Sequence, residues 1–156
     1  MLKMSSRTRA SFGAATATIA ILFGASQSSA HQPDLERAKA RELLNSQMES
    51  WNRGDLEGAL RTYCPAETAT WVNSAGISHG FEAFARSMRS EFGGGTAQMG
   101  KLSLELINVR LFGDGSNLMV VRWAITKGAT RAMGGISSQL WADCDGKMRV
   151  VFEHSS

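Results

Sequence analysis

The sequence predicts an α+β domain, on three observations. Up to Phe92 most apolar residues recur at helical spacing. After Lys101 they alternate, in long runs broken by glycine-containing turns. Gly93-Gly94-Gly95 separates the two regimes. Helices gathered early and long antiparallel strands late are the mark of that class.

Residues 1–30 read as a secretory leader. Lys3, Arg7 and Arg9 give a positive start, "FGAATATIAILFGA" (Phe12–Ala25) an apolar middle, and Ser28 and Ala30 small residues before a cut. The apolar run is shorter than the roughly 20 residues of a membrane span, so no stable membrane anchor is expected; an uncleaved anchor is the competing reading. Arg7 and Arg9 are not adjacent, which argues against twin-arginine export. The expected product is a periplasmic or secreted single domain of residues 31–156.

Cleavage changes the charge. The chain carries 17 basic and 14 acidic residues, a net +3. The leader takes three of the basic residues and none of the acidic ones, leaving 14 of each. A neutral domain has no basic face for nucleic acid.

The first helix starts at Pro33-Asp34, and Ala40, Leu44, Met48 and Trp51 line one face of it. Asn52-Arg53-Gly54 ends it, glycine taking the left-handed conformation cheaply. Asp55 suits the N-cap of a second helix with Leu56, Ala59, Leu60 and Tyr63 on its apolar side, and Pro65 stops that helix. Arg53-Gly54-Asp55 is thus helix punctuation rather than an adhesion signal, which would need a protruding loop.

"TATWVN" (Thr68–Asn73) and "ISH" (Ile77–His79) read as two short strands about a turn. Phe81, Phe84, Met88 and Phe92 define a third helix, closed by the three glycines. That triplet is no phosphate loop, since no strand precedes it and no Gly-Lys-Ser/Thr follows. "KLSLELINVRLF" (Lys101–Phe112) alternates, but its phase shifts near Leu106-Ile107, which implies a bulge or burial on both faces. Strands follow at Leu118–Lys127 and Ile136–Asp143, linked by "GATRAMGG". The Asp145-Gly146 hairpin signal leads into a last strand, Lys147–Ser156.

Four pieces in order now carry a resemblance: "WNRGDLEGALRTY" (Trp51–Tyr63), "ATWVNSAGISHGFEAF" (Ala69–Phe84), "VVRW" (Val120–Trp123) and "DGKMRVVFEHSS" (Asp145–Ser156). From about Arg37 to Ser156 the chain resembles the SnoaL-like and DUF4440-like members of the nuclear-transport-factor-2-like (NTF2-like) superfamily. The resemblance implies a cone: a curved, mostly antiparallel six-stranded sheet wrapped on three helices and enclosing a pocket. Many members dimerise through the outer sheet face, so a homodimer is expected. Functions across such a fold vary, and the fold alone does not assign one.

The resemblance also permits a test for one chemistry. Ketosteroid isomerase uses an Asp base with a Tyr and a protonated Asp as its oxyanion hole. Its base resembles a position within "ATWVNSAG", where this chain has Asn73, and an amide cannot take the proton. Asp34 and Asp55 read as caps, Asp114 and Asp145 as turn residues, and Asp143 as a strand end. Within strands the titratable groups are Glu105, Glu153 and His154.

His154 is the candidate polar residue of the pocket. By the period of two it shares a face with Met148, Val150 and Phe152, which makes that face the concave one. At the mouth of an apolar pocket it would exchange a proton near neutrality. The plainer alternative is a core histidine bonded to backbone or a hydroxyl. Glu153 then points outward, toward Arg122 or Arg149. Tyr63, Trp71, Phe84, Met88, Trp123 and Trp141 complete the candidate ligand-binding set with Phe152 and His154, though aromatics on such faces also serve as core. They favour a flat or apolar small molecule.

His31, His79 and His154 show no metal-ligand spacing, so neither a metal nor another cofactor is expected. In the expected fold the first and last strands lie close. Cys64 and Cys144 precede them and would meet if the strands run parallel; two free thiols are the alternative.

The leading expectation is an exported protein binding a hydrophobic small molecule. A lyase or isomerase with His154 as acid/base and Tyr63 as donor is the second. A protein-interaction module using the outer sheet face is the third.

Overall fold

The computed structural model describes residues 32–156, so the expected leader and His31 lie outside the described residues. Helix α1 (Gln32–Asn52) buries Ala40, Leu44, Gln47 and Trp51, spaced four, three and four apart. Among the described residues no helix is long and apolar enough to cross a membrane.

Gly54 turns the chain at φ +80°, and a Cβ there would meet the Thr96 side chain. Helix α2 (Leu56–Leu60) then starts from Asp55, whose carboxylate accepts the Gly58 N–H at 2.7 Å. The Arg-Gly-Asp tripeptide is a helix stop followed by a helix start, as expected from propensity and capping.

Strands β1 (Thr70–Asn73) and β2 (Gly76–His79) form a hairpin, and helix α3 (Phe81–Phe92) follows. The three glycines lead into one more short helix, α4 (Thr96–Met99), a stretch to which the sequence reading assigned no element. Strands β3 (Lys101–Leu111), β4 (Asn117–Lys127), β5 (Thr130–Cys144) and β6 (Lys147–Ser155) run antiparallel in succession. The single mixed sheet has the order β2-β1-β6-β5-β4-β3, with β1 parallel to β6. It is curved and unclosed, with the helices against its concave face.

Strand β5 begins six residues before the expected Ile136. Gly134-Gly135 looked like a linker but lies within the strand. A Cβ on Gly135 would sit 1.8 Å from the Ser156 carbonyl oxygen, which accepts the Ile136 N–H. Glycine inside a strand here permits a close backbone approach.

Three register shifts interrupt the sheet, at Leu106/Asn108, Ile125/Thr126 and Leu140/Trp141, and the first and last set which side chains face inward on β3 and β6. On β3 the register shifts between Leu106 and Asn108, at the phase change visible in the sequence. On β6 it shifts between Val150, opposite Trp141, and Phe152, opposite Leu140, so Val151 is the extra residue. An inserted residue reverses every later side chain on a strand. Val150 is fully buried, whereas Phe152 is 37% exposed.

Cys64 and Cys144 form a disulfide with Cα atoms 5.9 Å apart. Beside it the Cys64 N–H donates to the Val150 carbonyl and the Val150 N–H to the Thr62 carbonyl. The chain leaving α2 is thereby tied to β6 where the bulge begins.

Candidate functional site

Between the helices and the concave sheet lies a cavity of about 560 Å³. Its aromatic wall starts with Trp71 and Phe84, stacked with centroids 4.4 Å apart and ring planes 9° from parallel. Tyr63 packs tilted against both, at 5.8 Å from Trp71 and 4.7 Å from Phe84. Trp123 of β4 and Met88 of α3 also line the cavity. Solvent-exposed Asn73, Glu91 and Met133 stand at its mouth.

The polar groups converge on Glu153. Its register neighbours are Trp71 on β1 and Gln139 on β5, so all three project from the same face of the sheet. Tyr63 OH donates to Oε2 at 2.9 Å, and Ser137 Oγ donates to Oε1 at 2.7 Å. Gln139 hydrogen-bonds the carboxylate as well, while its Oε1 accepts the Trp141 indole N–H at 3.0 Å. Behind the tyrosine, Gln47 Nε2 donates to Tyr63 OH at 2.9 Å.

This chain of bonds has one direction. The single Tyr63 proton goes to Glu153, so Gln47 must present its amide N–H to the phenolic oxygen. That leaves Gln47 Oε1 buried and without a partner, on a residue only 5% exposed. An unpartnered buried acceptor costs about 1–3 kcal/mol.

Burial raises the Glu153 pKa above the ordinary carboxylate range. The hydrogen bonds from Ser137, Tyr63 and Gln139 oppose that rise. Burial, then the neighbouring Glu153 charge, pushes the Tyr63 hydroxyl well above its usual value. Tyr63 therefore stays a donor throughout the neutral range. Glu153 is half-buried by exposed area, and its exposure is toward the cavity it lines.

The structure brings Tyr63, Trp71, Phe84, Met88 and Trp123 of the expected set together around the cavity. Trp141 is in the core beneath it, 1% exposed. Phe152 and His154 are exposed and lie outside the cavity lining. This corrects the expected face of His154: the bulge at Val151 sends Phe152 and His154 outward and turns Glu153 in. Glu153 makes no ion pair among the described residues, and Arg122 pairs with Glu105 instead. Asn73, at the position compared with the isomerase base, accepts the Ala75 N–H at 2.9 Å within the β1–β2 hairpin. His79 is exposed at the end of β2.

The sequence reading missed Gln47, Ser137, Gln139 and Glu153. Gln47 sits three residues beyond Leu44 on the buried helix face. Ser137 and Gln139 share strand parity with Trp141. For these three a polar residue in an apolar phase was the available signal, whereas Glu153 gave none, because the bulge at Val151 conceals its face.

Neither a protein-family model nor a curated relative matches the sequence. Solved structures do match. An NTF2-like protein of unknown function from Shewanella oneidensis shares 20% identity over 77% of this chain and 98% of its own, with a TM-score of 0.69. The fold is NTF2-like. An NTF2-like superfamily protein from Salmonella enterica aligns at 17% identity over 79% of this chain and 91% of its own, with a TM-score of 0.59. A putative calcium/calmodulin-dependent protein kinase type II association domain from Thiobacillus denitrificans aligns at 16% over 74% and 92%, with a TM-score of 0.63. At these identities the likeness is one of architecture. The NTF2-like cone accounts for the parallel β1–β6 pair and the cavity beneath it, and the residues within that cavity are this chain's own.

Proposed function

We propose that the protein is an exported NTF2-like, SnoaL-like small-molecule-binding domain acting as a homodimer, with its ligand in the cavity between helices and sheet. The observation that carries the reading is the cavity itself. About 560 Å³ lies within the usual range for small-molecule sites, and its walls are aromatic and aliphatic with polar groups converging at one place. Export is supported by the three-part leader pattern and by the Cys64–Cys144 disulfide, which suits an oxidising compartment. Homodimerisation is supported by Ile136 and Phe152, apolar and more than one-third exposed, on neighbouring strands of the outer face.

The test is calorimetric titration with 1-naphthylmethanol, a neutral aromatic probe, beside native mass spectrometry of protein from the exported fraction. Saturable binding is expected, and Leu104→Trp, which narrows the cavity from β3, should weaken it about tenfold through the displaced contacts. A protein with no retained mass and no saturable probe binding would overturn the reading.

An enzyme using His154 is no part of this proposal, because the imidazole is on the opposite face of the sheet from the cavity.

A further inference from the structure

The geometry points to an organic cation as the ligand: an ammonium group on an aromatic or apolar body, with the ammonium held by Glu153. This rests on the small-molecule reading above and deepens it.

The first argument is charge. Among the described residues that line the cavity, the charged side chains are Glu91 at the mouth and Glu153 within, and no Lys, Arg or His accompanies them. A carboxylate withdrawn from water is costly unless something compensates its charge. Glu153 has three neutral donors, Tyr63, Ser137 and Gln139, but no ion-pair partner. Three donors orient the carboxylate and leave lone-pair capacity toward the cavity. An anionic ligand would add like charge there. A cation supplies what the wall lacks.

The second argument is the unpartnered acceptor. Gln47 Oε1 is buried and free, and the direction of the Gln47–Tyr63–Glu153 chain prevents the amide from turning to satisfy it. Tyr63 bonds both Gln47 and Glu153, so the free amide oxygen and the carboxylate are placed about one phenol group. The unmet amide oxygen adds negative potential beside the carboxylate, which favours a positive charge at that place.

The third argument is the wall. Tyr63, Trp71 and Phe84 form a contiguous aromatic cluster, with Trp71 in register beside Glu153. Aromatic faces attract cations, most strongly where water is excluded. The same faces take the flat or apolar body of the ligand.

The experiment compares three probes that share one ring: 1-naphthylmethylammonium, 1-naphthylmethanol and 1-naphthoate. Each is titrated calorimetrically at neutral pH into the wild-type protein, Glu153→Gln and Glu91→Gln, with circular dichroism confirming each fold. In the wild type the ammonium should bind about tenfold or more tighter than the alcohol, as expected for hydrogen bonds to a charged group, and the carboxylate should bind weakest. Glu153→Gln should erase the ammonium's advantage over the alcohol, while Glu91→Gln keeps the preference. Equal binding of ammonium and alcohol in the wild type overturns the cation assignment and leaves the small-molecule reading standing. So does a preference that survives Glu153→Gln, or one that disappears with Glu91→Gln. If none of the three binds, both fall together.

Discussion

Two of the sheet's three register shifts, the bulges on β3 and β6, perform the same operation with opposite visibility. On β3, Leu102, Leu104 and Leu106 are half-buried, Ile107 is the extra exposed residue, and Val109 resumes the inward phase. Outward neighbours such as Lys101, Ser103, Glu105 and Arg110 are polar, so the face change shows as a shift in apolar phase. On β6, Met148 and Val150 face in, Val151 is extra, and Glu153 and Ser155 face in beyond it. There the outward Phe152 is apolar and the inward Glu153 is charged. The face change and the polarity change cancel, and "MRVVFEHS" looks like one unbroken phase. A bulge is legible when the interior beyond it remains apolar. It is concealed where the interior becomes polar, and on β6 that is where the candidate site lies.

This comparison fixes how much could be read beforehand. Helix bounds followed from Asp55, Gly54 and the Gly93–Gly95 break, because capping and glycine conformations are local effects. The aromatic cavity wall followed from strand and helix periodicity at Trp71, Phe84 and Trp123. Glu153 did not, because its inward position depends on register with β5, a non-local pairing that single-strand alternation does not encode. Gln47 did not for a related reason. Burying a glutamine is unfavourable until a partner such as Tyr63, 16 residues away, is known to meet it.

The largest expected effect concerns the anchor that holds β6 before its bulge. The disulfide closes a sequence separation of 80 residues beside Val150, next to where the face changes. In the chain-entropy account a loop of that length stabilises by about 4 kcal/mol. The Cys64→Ala/Cys144→Ala protein should lose about that much in urea unfolding. If the β3 bulge is independent of this anchor, hydrogen exchange around Leu106–Asn108 should change less than around Val150–Glu153. A uniform loss of protection across both bulges would break the comparison.

A smaller, pH-dependent effect isolates the inward residue. Glu153 has a folded-state pKa raised above its unfolded value, mainly by burial. In the window between the two values the folded protein binds more protons than the unfolded chain. The Glu153 contribution is therefore fully present below the unfolded pKa and is lost as pH rises through the folded one. Subtracting the Glu153→Gln unfolding free energy from that of the wild type removes the opposing contributions of exposed carboxylates such as Glu57 and Asp114, whose pKa values are lowered. The difference should fall as pH rises out of the acidic range. A flat difference would mean that Glu153 feels no net cost of ionisation in its cavity.

The smallest effect is expected one residue further on, and its smallness is the argument. Before the bulge is known, His154 looks like the pocket residue and Glu153 like surface. In the folded sheet His154 is exposed on the outer face, with Ser138 as its register neighbour on β5. Removing an exposed side chain without a specific bond changes stability by roughly 0.5 kcal/mol or less. His154→Ala should therefore unfold within that margin of wild type and bind the naphthyl probes with unchanged affinity, while Glu153→Gln alters both ammonium binding and the pH profile. Two adjacent residues, one silent and one responsive, are what a single inserted residue at Val151 requires. If His154→Ala abolished probe binding while Glu153→Gln left it untouched, the strand would have to run through this region in the uninterrupted phase that its sequence suggests.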